Sequence, residues 1–403
     1  MVLSVFLLLL AQDVASPANT AASADLSAAI ELAQSGGNAE ALVAMQKIAA
    51  AHPEDHLARL WVAHVHMRMG HPELAEPVYR SIAVEDPDNV DAWIGLGTAL
   101  LHQDRTVECL DALTRAEQIA PENPNVIGAL ASAYQLAGDD RRSISYRQRL
   151  MTMSPTSTNV RLLEDARRAY DHRIEIQAYD EDYSGPTQST QASDITMNFR
   201  LSEVTRVIGR AQLQRKFGQR EDREGAGIEW RWMPWGTFTG QVLVGADNRV
   251  LPQRDYLGRI DYGYHRATWT GQLRYFDFFG ANVLMLSPGV TVAPTPQWTV
   301  GLRYALTSTD FATMTGIENH TFDMRVAHEL TPRIWVRGGY VRGIENFDNF
   351  SIDRAGEFHA NTATAALQIL LPSLTSILGS YDYQWRPDNV RMGRATVSLV
   401  QAF

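Results

Sequence analysis

Eleven histidines and one cysteine are the side chains of this 403-residue chain best able to bind a metal or attack a substrate. His64, His66 and His71 lie close in sequence. On a helix, however, His64 and His66 point to different sides, and no carboxylate is placed to complete a four-ligand set. His265, His328 and His359 fall in separate segments with no serine motif beside any of them, so no nucleophile–base pair is expected. Cys109, being the single cysteine, excludes an intrachain disulfide and a multi-cysteine metal site. It stands at a small-residue position of a helical pattern, which makes it a packing residue. The expectation is a protein that is not an enzyme, with no catalytic residue, no metal and no cofactor.

A second chemistry is carried by arginine. Only Lys47 and Lys216 among the 36 basic residues are lysines. In the stretch Trp298 to Thr307, the residues Trp298, Val300, Leu302, Tyr304 and Leu306 alternate with Thr299, Gly301, Arg303, Ala305 and Thr307. Strict alternation gives a strand two unlike faces, because successive side chains point to opposite sides. A soluble sandwich turns its apolar face inward, whereas a membrane barrel turns it to lipid and keeps polar groups inside.

With Trp298 and Leu302 facing lipid, the same rule applied strand by strand fills the lumen. Arg173, Arg200, Arg206, Arg210, Arg231, Arg259, Arg274, Arg303, Arg325, Arg337 and Arg394 fall inside, with Glu175, Glu229, Asp261, Asp323 and Asp382. Two readings stand. Eleven arginines against five carboxylates form a passage whose field favours anionic solutes. Alternatively, the charges pair between adjacent strands and close the barrel with a polar plug.

The elements that position these residues repeat from His172 to Phe403. Fourteen alternating segments read as antiparallel strands, with tight connections after the even ones, such as Pro234-Trp235 and Thr331-Pro332. Connections after the odd strands read as mostly longer and polar, such as those from Ser184 and Glu345. Short turns at one rim and longer loops at the other are the pattern of an outer-membrane barrel. Trp235, Trp269, Trp298 and Trp335 each lie near a tight turn and are expected to form an interfacial girdle with the terminal Phe403. A terminal aromatic after an alternating strand resembles the signal of the barrel-assembly machinery, although Gln401 stands where an apolar residue is usual.

The first half has a different period. Pro53, Pro87, Pro121 and Pro155 recur every 34 residues, the spacing of tetratricopeptide repeats. Small residues let paired helices approach, and Gly70, Gly97 and Gly138 are read as ending first helices, with each proline following a second helix. Four helix pairs stack as a solenoid. The resemblance to tetratricopeptide repeats implies a concave surface that binds a peptide or protein segment.

The fold class is thus an α + β chain: a signal peptide (1–24), a solenoid (25–157), a capping helix and linker (158–171) and a barrel of about 14 strands (172–403). The signal reading rests on the apolar run Val2 to Leu10 followed by Ala22-Ser23-Ala24. Solenoid-then-barrel order, with Tyr179-Asp180-Glu181-Asp182-Tyr183-Ser184 and Leu286-Ser287-Pro288-Gly289, resembles the YaiO family of outer-membrane proteins. The order also resembles export porins for cellulose and poly-N-acetylglucosamine. The expected location is the outer membrane, with the repeats in the periplasm. The expected partners are outer-membrane lipid, the assembly machinery, a periplasmic protein and, on the passage reading, a polysaccharide or anionic solute. The alternative is a closed barrel anchoring a docking scaffold. A formal charge of -10 argues against nucleic acid.

Overall fold

The chain is described by a computed structural model over residues 20–184, 189–344, 347–348, 350–355, 358–387 and 389–403. The run Val2 to Leu10 lies outside the described residues, and α1 begins at Thr20. Two compact units divide the chain, Met1–Ala166 and Arg167–Phe403.

In the first unit the helices form consecutive pairs: α1 (Thr20–Gln34) with α2 (Asn38–Ala51), α3 (His56–Arg68) with α4 (Pro72–Glu85), α5 (Val90–His102) with α6 (Thr106–Ile119), and α7 (Pro124–Leu136) with α8 (Asp140–Met153). A last helix, α9 (Ser157–Tyr170), spans the division between the units. Pro53, Pro87, Pro121 and Pro155 each follow the second helix of a pair. After three of these prolines comes a cap that the period alone did not reveal. Asp55 accepts from the Leu57 and Ala58 amides, Asn89 from Ala92 and Asn123 from Asn125. Each cap satisfies helix-start donors that the helix itself leaves unpaired.

Gly70 (φ +82°) and Gly138 (φ +78°) close α3 and α7 in the left-handed region, where glycine carries no Cβ penalty. Gly97 does something else. The residue that ends α5 with positive φ is Asp104, at +60°, and Gly97 lies buried inside the helix. A Cβ there would come within 2.7 Å of the Leu113 side chain on α6. The expected role of Gly97 as a helix end is therefore corrected to a close-approach position. Around it Tyr79, Ile94, Leu100, Cys109 and Leu113 form the solenoid core.

The second unit is a closed antiparallel sheet of fourteen strands among the described residues. They are β1 (Arg173–Tyr183), β2 (Thr190–Arg200), β3 (Thr205–Lys216), β4 (Gln219–Met233), β5 (Gly236–Val244), β6 (Arg254–Tyr264) and β7 (Ala267–Phe278). They continue with β8 (Ala281–Thr295), β9 (Trp298–Phe311), β10 (Ile317–Thr331), β11 (Ile334–Arg342), β12 (Asn361–Leu370), β13 (Thr375–Trp385) and β14 (Arg391–Ala402). Closure comes from β1 on β14, in register from Arg173↔Ala402 to Tyr183↔Met392.

One rim, where β1 begins, carries the tight turns. The connections at the opposite rim, expected to be mostly longer, include two tight ones. β3–β4 and β7–β8 are joined by only Phe217-Gly218 and Phe279-Gly280. Phe217 (φ +53°) and Gly218 (φ +74°) both take the left-handed values of a two-residue hairpin whose twist matches its strands. The loop after β1 is also shorter than expected, because β2 already starts at Thr190.

Directly paired residues point to the same side, so the register sorts the faces. Ile195, Met197, Leu273, Leu286, Leu302, Met324 and Leu399 lie exposed on the outer face. Aromatic rings flank this band at both rims. Trp235, Trp269, Trp298 and Phe403 stand at the tight-turn rim. Toward the far rim Tyr256 packs on Tyr275 at 6.2 Å and Tyr340 on Trp385 at 6.3 Å. Trp335 does not join the first belt. It faces Gln368 and Glu329 in register, alternating with the outer Val336, and so points inward. Its strand carries the inner Arg337 two residues on, and one strand cannot place both at odd positions on opposite faces.

Residues 25–170 expressed alone should give a helical far-UV circular dichroism spectrum with cooperative melting. In that fragment Gly97→Val should cost about 1–3 kcal/mol by overpacking against Leu113, measured by urea unfolding. An unchanged midpoint would remove the close-approach assignment.

Candidate functional site

The candidate site is the interior of the barrel. Its wall changes character from one rim to the other. Toward the far rim, charged side chains are sealed: Arg223 and Asp255 are 0 % exposed and pair at 2.9 Å. Toward the tight-turn rim the Arg259 and Arg325 side chains are 43 % and 64 % exposed. The interior is therefore accessible to water around Arg259 and Arg325 and dry around Arg223 and Asp255.

The closure is made by the chain between β11 and β12. Its described residues fold back into the interior instead of extending outward. Phe347, Phe350 and Phe358 pack with Phe276 and Phe278 of β7 and with Val283 and Met285 of β8. The Phe350 and Phe276 rings are 4.8 Å apart. Burying such rings is worth roughly 1.5–3 kcal/mol each, which offsets the entropy of ordering a long loop.

Ion pairs fix the same segment to strands far apart in sequence. Asp348 lies 3.0 Å from Arg274 and 3.8 Å from Arg210. Its backbone carbonyl accepts from Arg223 at 2.6 Å. Asp255 on β6 accepts from both Arg223 and Arg274, at 2.9 and 2.7 Å. Asp353 receives Lys216 at 2.9 Å. Arg354 reaches Glu181 on β1 at 3.1 Å, and Arg394 reaches the same carboxylate at 2.6 Å. A second loop is locked beside it: Glu221 accepts the backbone amides of Arg249, Val250 and Leu251 at 2.7–3.0 Å. The amide of Ile352 then donates to the carbonyl of Val250 at 2.9 Å.

The sequence-derived lumen residues all fall on inner-face register positions, and most have partners. Arg210 pairs with Asp194 at 2.6 Å, Arg303 with Asp323 at 2.7 Å and Arg259 with Asp261 at 2.7 Å. Arg206 stands 3.6 Å from Glu229. Arg325 shares Asp323. Arg231 donates to the carbonyl of Glu203 at 2.7 Å. At the tight-turn rim, Arg206 also holds the carbonyls of Tyr170 and Asp171, at 2.9 and 3.2 Å, and Arg200 holds that of Tyr170 at 2.8 Å. These carbonyls end α9 and have no helical partner, so arginine satisfies them and complements the helix dipole.

The expected excess of positive charge is much reduced. Alternation alone omitted Glu181, Asp194, Glu221 and Asp255, and the inward loop adds Asp348 and Asp353. Lys216, Arg223 and Arg354 were also missed. Arg223, Asp194 and Asp255 lay at the ends of alternating segments, where register is least certain. The loop residues had no pattern to find.

The histidines are scattered. His64 Nδ1 lies 3.0 Å from the Tyr79 hydroxyl, and burial, with Arg68 nearby, pushes its pKa down to about 4. His71 meets Glu73 at 3.1 Å. His328 stacks on Trp298 at 4.2 Å, His265 sits in the turn after β6 with φ +53°, and His359 is exposed. Burial pushes the Cys109 thiol up to about 12, which keeps it protonated and inert.

Residues 62–124 match the tetratricopeptide repeat family. No curated protein matches the chain. Among solved structures, a thermophilic tetratricopeptide-repeat protein of Thermus thermophilus is 17 % identical, with a TM-score of 0.35 over 37 % of this chain and 82 % of that one. MamA of Desulfovibrio magneticus is 18 % identical, with a TM-score of 0.33 over 36 % and 82 %. PilF of Pseudomonas aeruginosa is 21 % identical, with a TM-score of 0.34 over 36 % and 67 %.

Replacing Asp255 by Asn leaves Arg223 and Arg274 short of a buried counter-charge. This should cost about 3–5 kcal/mol, read as a lowered denaturation midpoint of the full chain in detergent. A change below about 1 kcal/mol would mean that Asp348 alone neutralises both arginines.

Proposed function

We propose that this chain is an outer-membrane protein whose closed barrel anchors a tetratricopeptide docking module. The observation that carries the reading is the outer face of the barrel. Leucine, isoleucine, methionine and valine side chains lie exposed there between two aromatic belts, while charged side chains lie inside. A face of this kind is costly in water and favourable in a bilayer, where aromatic rings settle at both interfaces. The even strand number brings both ends of the sheet to the rim with tight turns, which in such barrels is the periplasmic one. The repeats are then periplasmic and dock a periplasmic protein through their concave face.

The interior favours an anchor over an open channel. Asp348 and Phe350 hold the inward loop across several strands. The resemblance to the YaiO family belongs with this reading, because Glu181 in Tyr179–Ser184 is the carboxylate that joins Arg354 and Arg394 in the seal. A second reading, passage of an envelope polysaccharide or anionic solute after the loop withdraws, is favoured by the exposed inner side chains of Arg259 and Arg325. In planar bilayers the wild-type chain should be nearly silent, and Asp348→Ala with Phe350→Ala should produce steady currents. Wild-type currents as large as the variant's would replace the anchor by the passage. Recovery of the chain with inner-membrane or soluble fractions would end both readings.

A further inference from the structure

An apolar depression of about 410 Å³ lies on the outer face of β7 to β11. Trp269, Val290, Leu302, Phe322, Met324 and Tyr340 line it, with Pro288 of β8 among them. The register explains the order. Trp269 pairs with Val290, Val290 with Leu302, Leu302 with Met324 and Met324 with Tyr340, so one row of side chains crosses five strands on one face. Its two ends are aromatic and its middle is aliphatic. Beside the row Gly271 pairs with Pro288, and a Cβ at Gly271 would meet nothing within 4 Å, which keeps the wall low there. Arg303 and Asp323 also border the depression, but their side chains turn to the interior, where they pair at 2.7 Å.

The depression has a polar end at the far rim. Phe322 pairs in register with Arg342, the last residue of β11. Arg342 is exposed and forms no ion pair among the described residues. The Tyr304 hydroxyl lies 2.6 Å from His320 Nδ1, and its ring packs on Phe322 at 5.1 Å. The Tyr340 hydroxyl donates to Asn361, the first residue of β12, at 2.7 Å. The acid of β10 on this face, Glu318, stands two outer positions beyond Phe322 toward the loop. Ring bodies thus border the apolar depression while their hydroxyls turn to the rim, as amphipathic rings do where hydrocarbon meets water. An apolar slot with a guanidinium at its head is the complement of a hydrocarbon chain that ends in an anion.

We propose that this depression holds one acyl chain of a phosphate-bearing lipid from the leaflet at the far rim, with Arg342 meeting the phosphate. A flat wall touches a lipid chain on one side only. A depression between the Trp269 and Tyr340 rings surrounds it and adds dispersion contacts that a sliding lipid lacks. The phosphate oxygens match the guanidinium fork, so the head group fixes which lipid stays. The assignment rests on the membrane reading of the outer face and goes beyond it, because it selects one lipid and one place on the barrel.

The test is native mass spectrometry of the full-length chain in detergent, with dioleoyl phosphatidate or dioleoyl phosphatidylcholine added. The parent should retain one phosphatidate and far less of the choline lipid. Val290→Trp fills the middle of the depression and should lower phosphatidate retention about tenfold. Arg342→Gln should bring phosphatidate down to the level of the choline lipid. Val397→Trp, on the exposed outer face of β14, should retain as much as the parent. Folding of each variant is read from heat-modifiable migration on gels. No lipid retained by the folded parent, equal retention of the two lipids, or parental retention by folded Val290→Trp would each overturn the assignment. A dimer of the parent that Val290→Trp abolishes would replace the lipid by a second copy of the chain. Recovery of the chain outside the outer membrane removes the membrane reading itself, whereas recovery there without lipid retention removes this assignment alone.

Discussion

Backbone pairing between the first and last strands is the constraint on which the second unit depends. Once β1 bonds to β14, no strand has a free edge, and the sheet acquires an inside and an outside. Every alternating segment must then commit its two faces to those two environments. A slip of one residue on any strand would send arginines outward and leucines inward. The register is therefore held by the whole ring, and this explains why strands as polar as β4 keep their place.

An interior full of ions has its own energetics. Removing a guanidinium or carboxylate from water costs several kcal/mol, which one partner seldom returns. The interior answers with shared partners: Asp255 serves two arginines, Glu181 two, and Asp323 two. Where carboxylates and backbone carbonyls meet the arginines fully, the wall is dry. On β10, by contrast, Arg325 keeps much of its side chain accessible while sharing Asp323 with Arg303.

The solenoid rests on different physics. A helix pair buries only one face, so each pair needs a neighbour. Small residues set the spacing: Gly97 admits Leu113, and buried alanines such as Ala63, Ala99 and Ala116 keep the helices close. Asp or Asn caps and the prolines before them restart the chain at a constant phase, so a short signal repeated every 34 residues builds a long surface.

Periodicity was legible from the chain alone, because both repeating architectures write their geometry into side-chain order. The 34-residue interval named the helix pairs, and period-two alternation named the strands and the inward arginines from Arg206 to Arg325. A local pattern carries no information about which partner a side chain finds. Arg274 looked like a lining residue, but it lies buried between Asp255 on the next strand and Asp348 on a distant loop. Trp335 and Gly97 were assigned by type, and register and helix contact then placed them differently. The inward loop had no period at all. Its position is set by long-range pairing with β1, β3, β4 and β7, contacts that exist only after the barrel has closed. Sequence determined the elements and their faces. Tertiary structure decided that the interior is sealed at one end, because closure there depends on charges meeting across the ring.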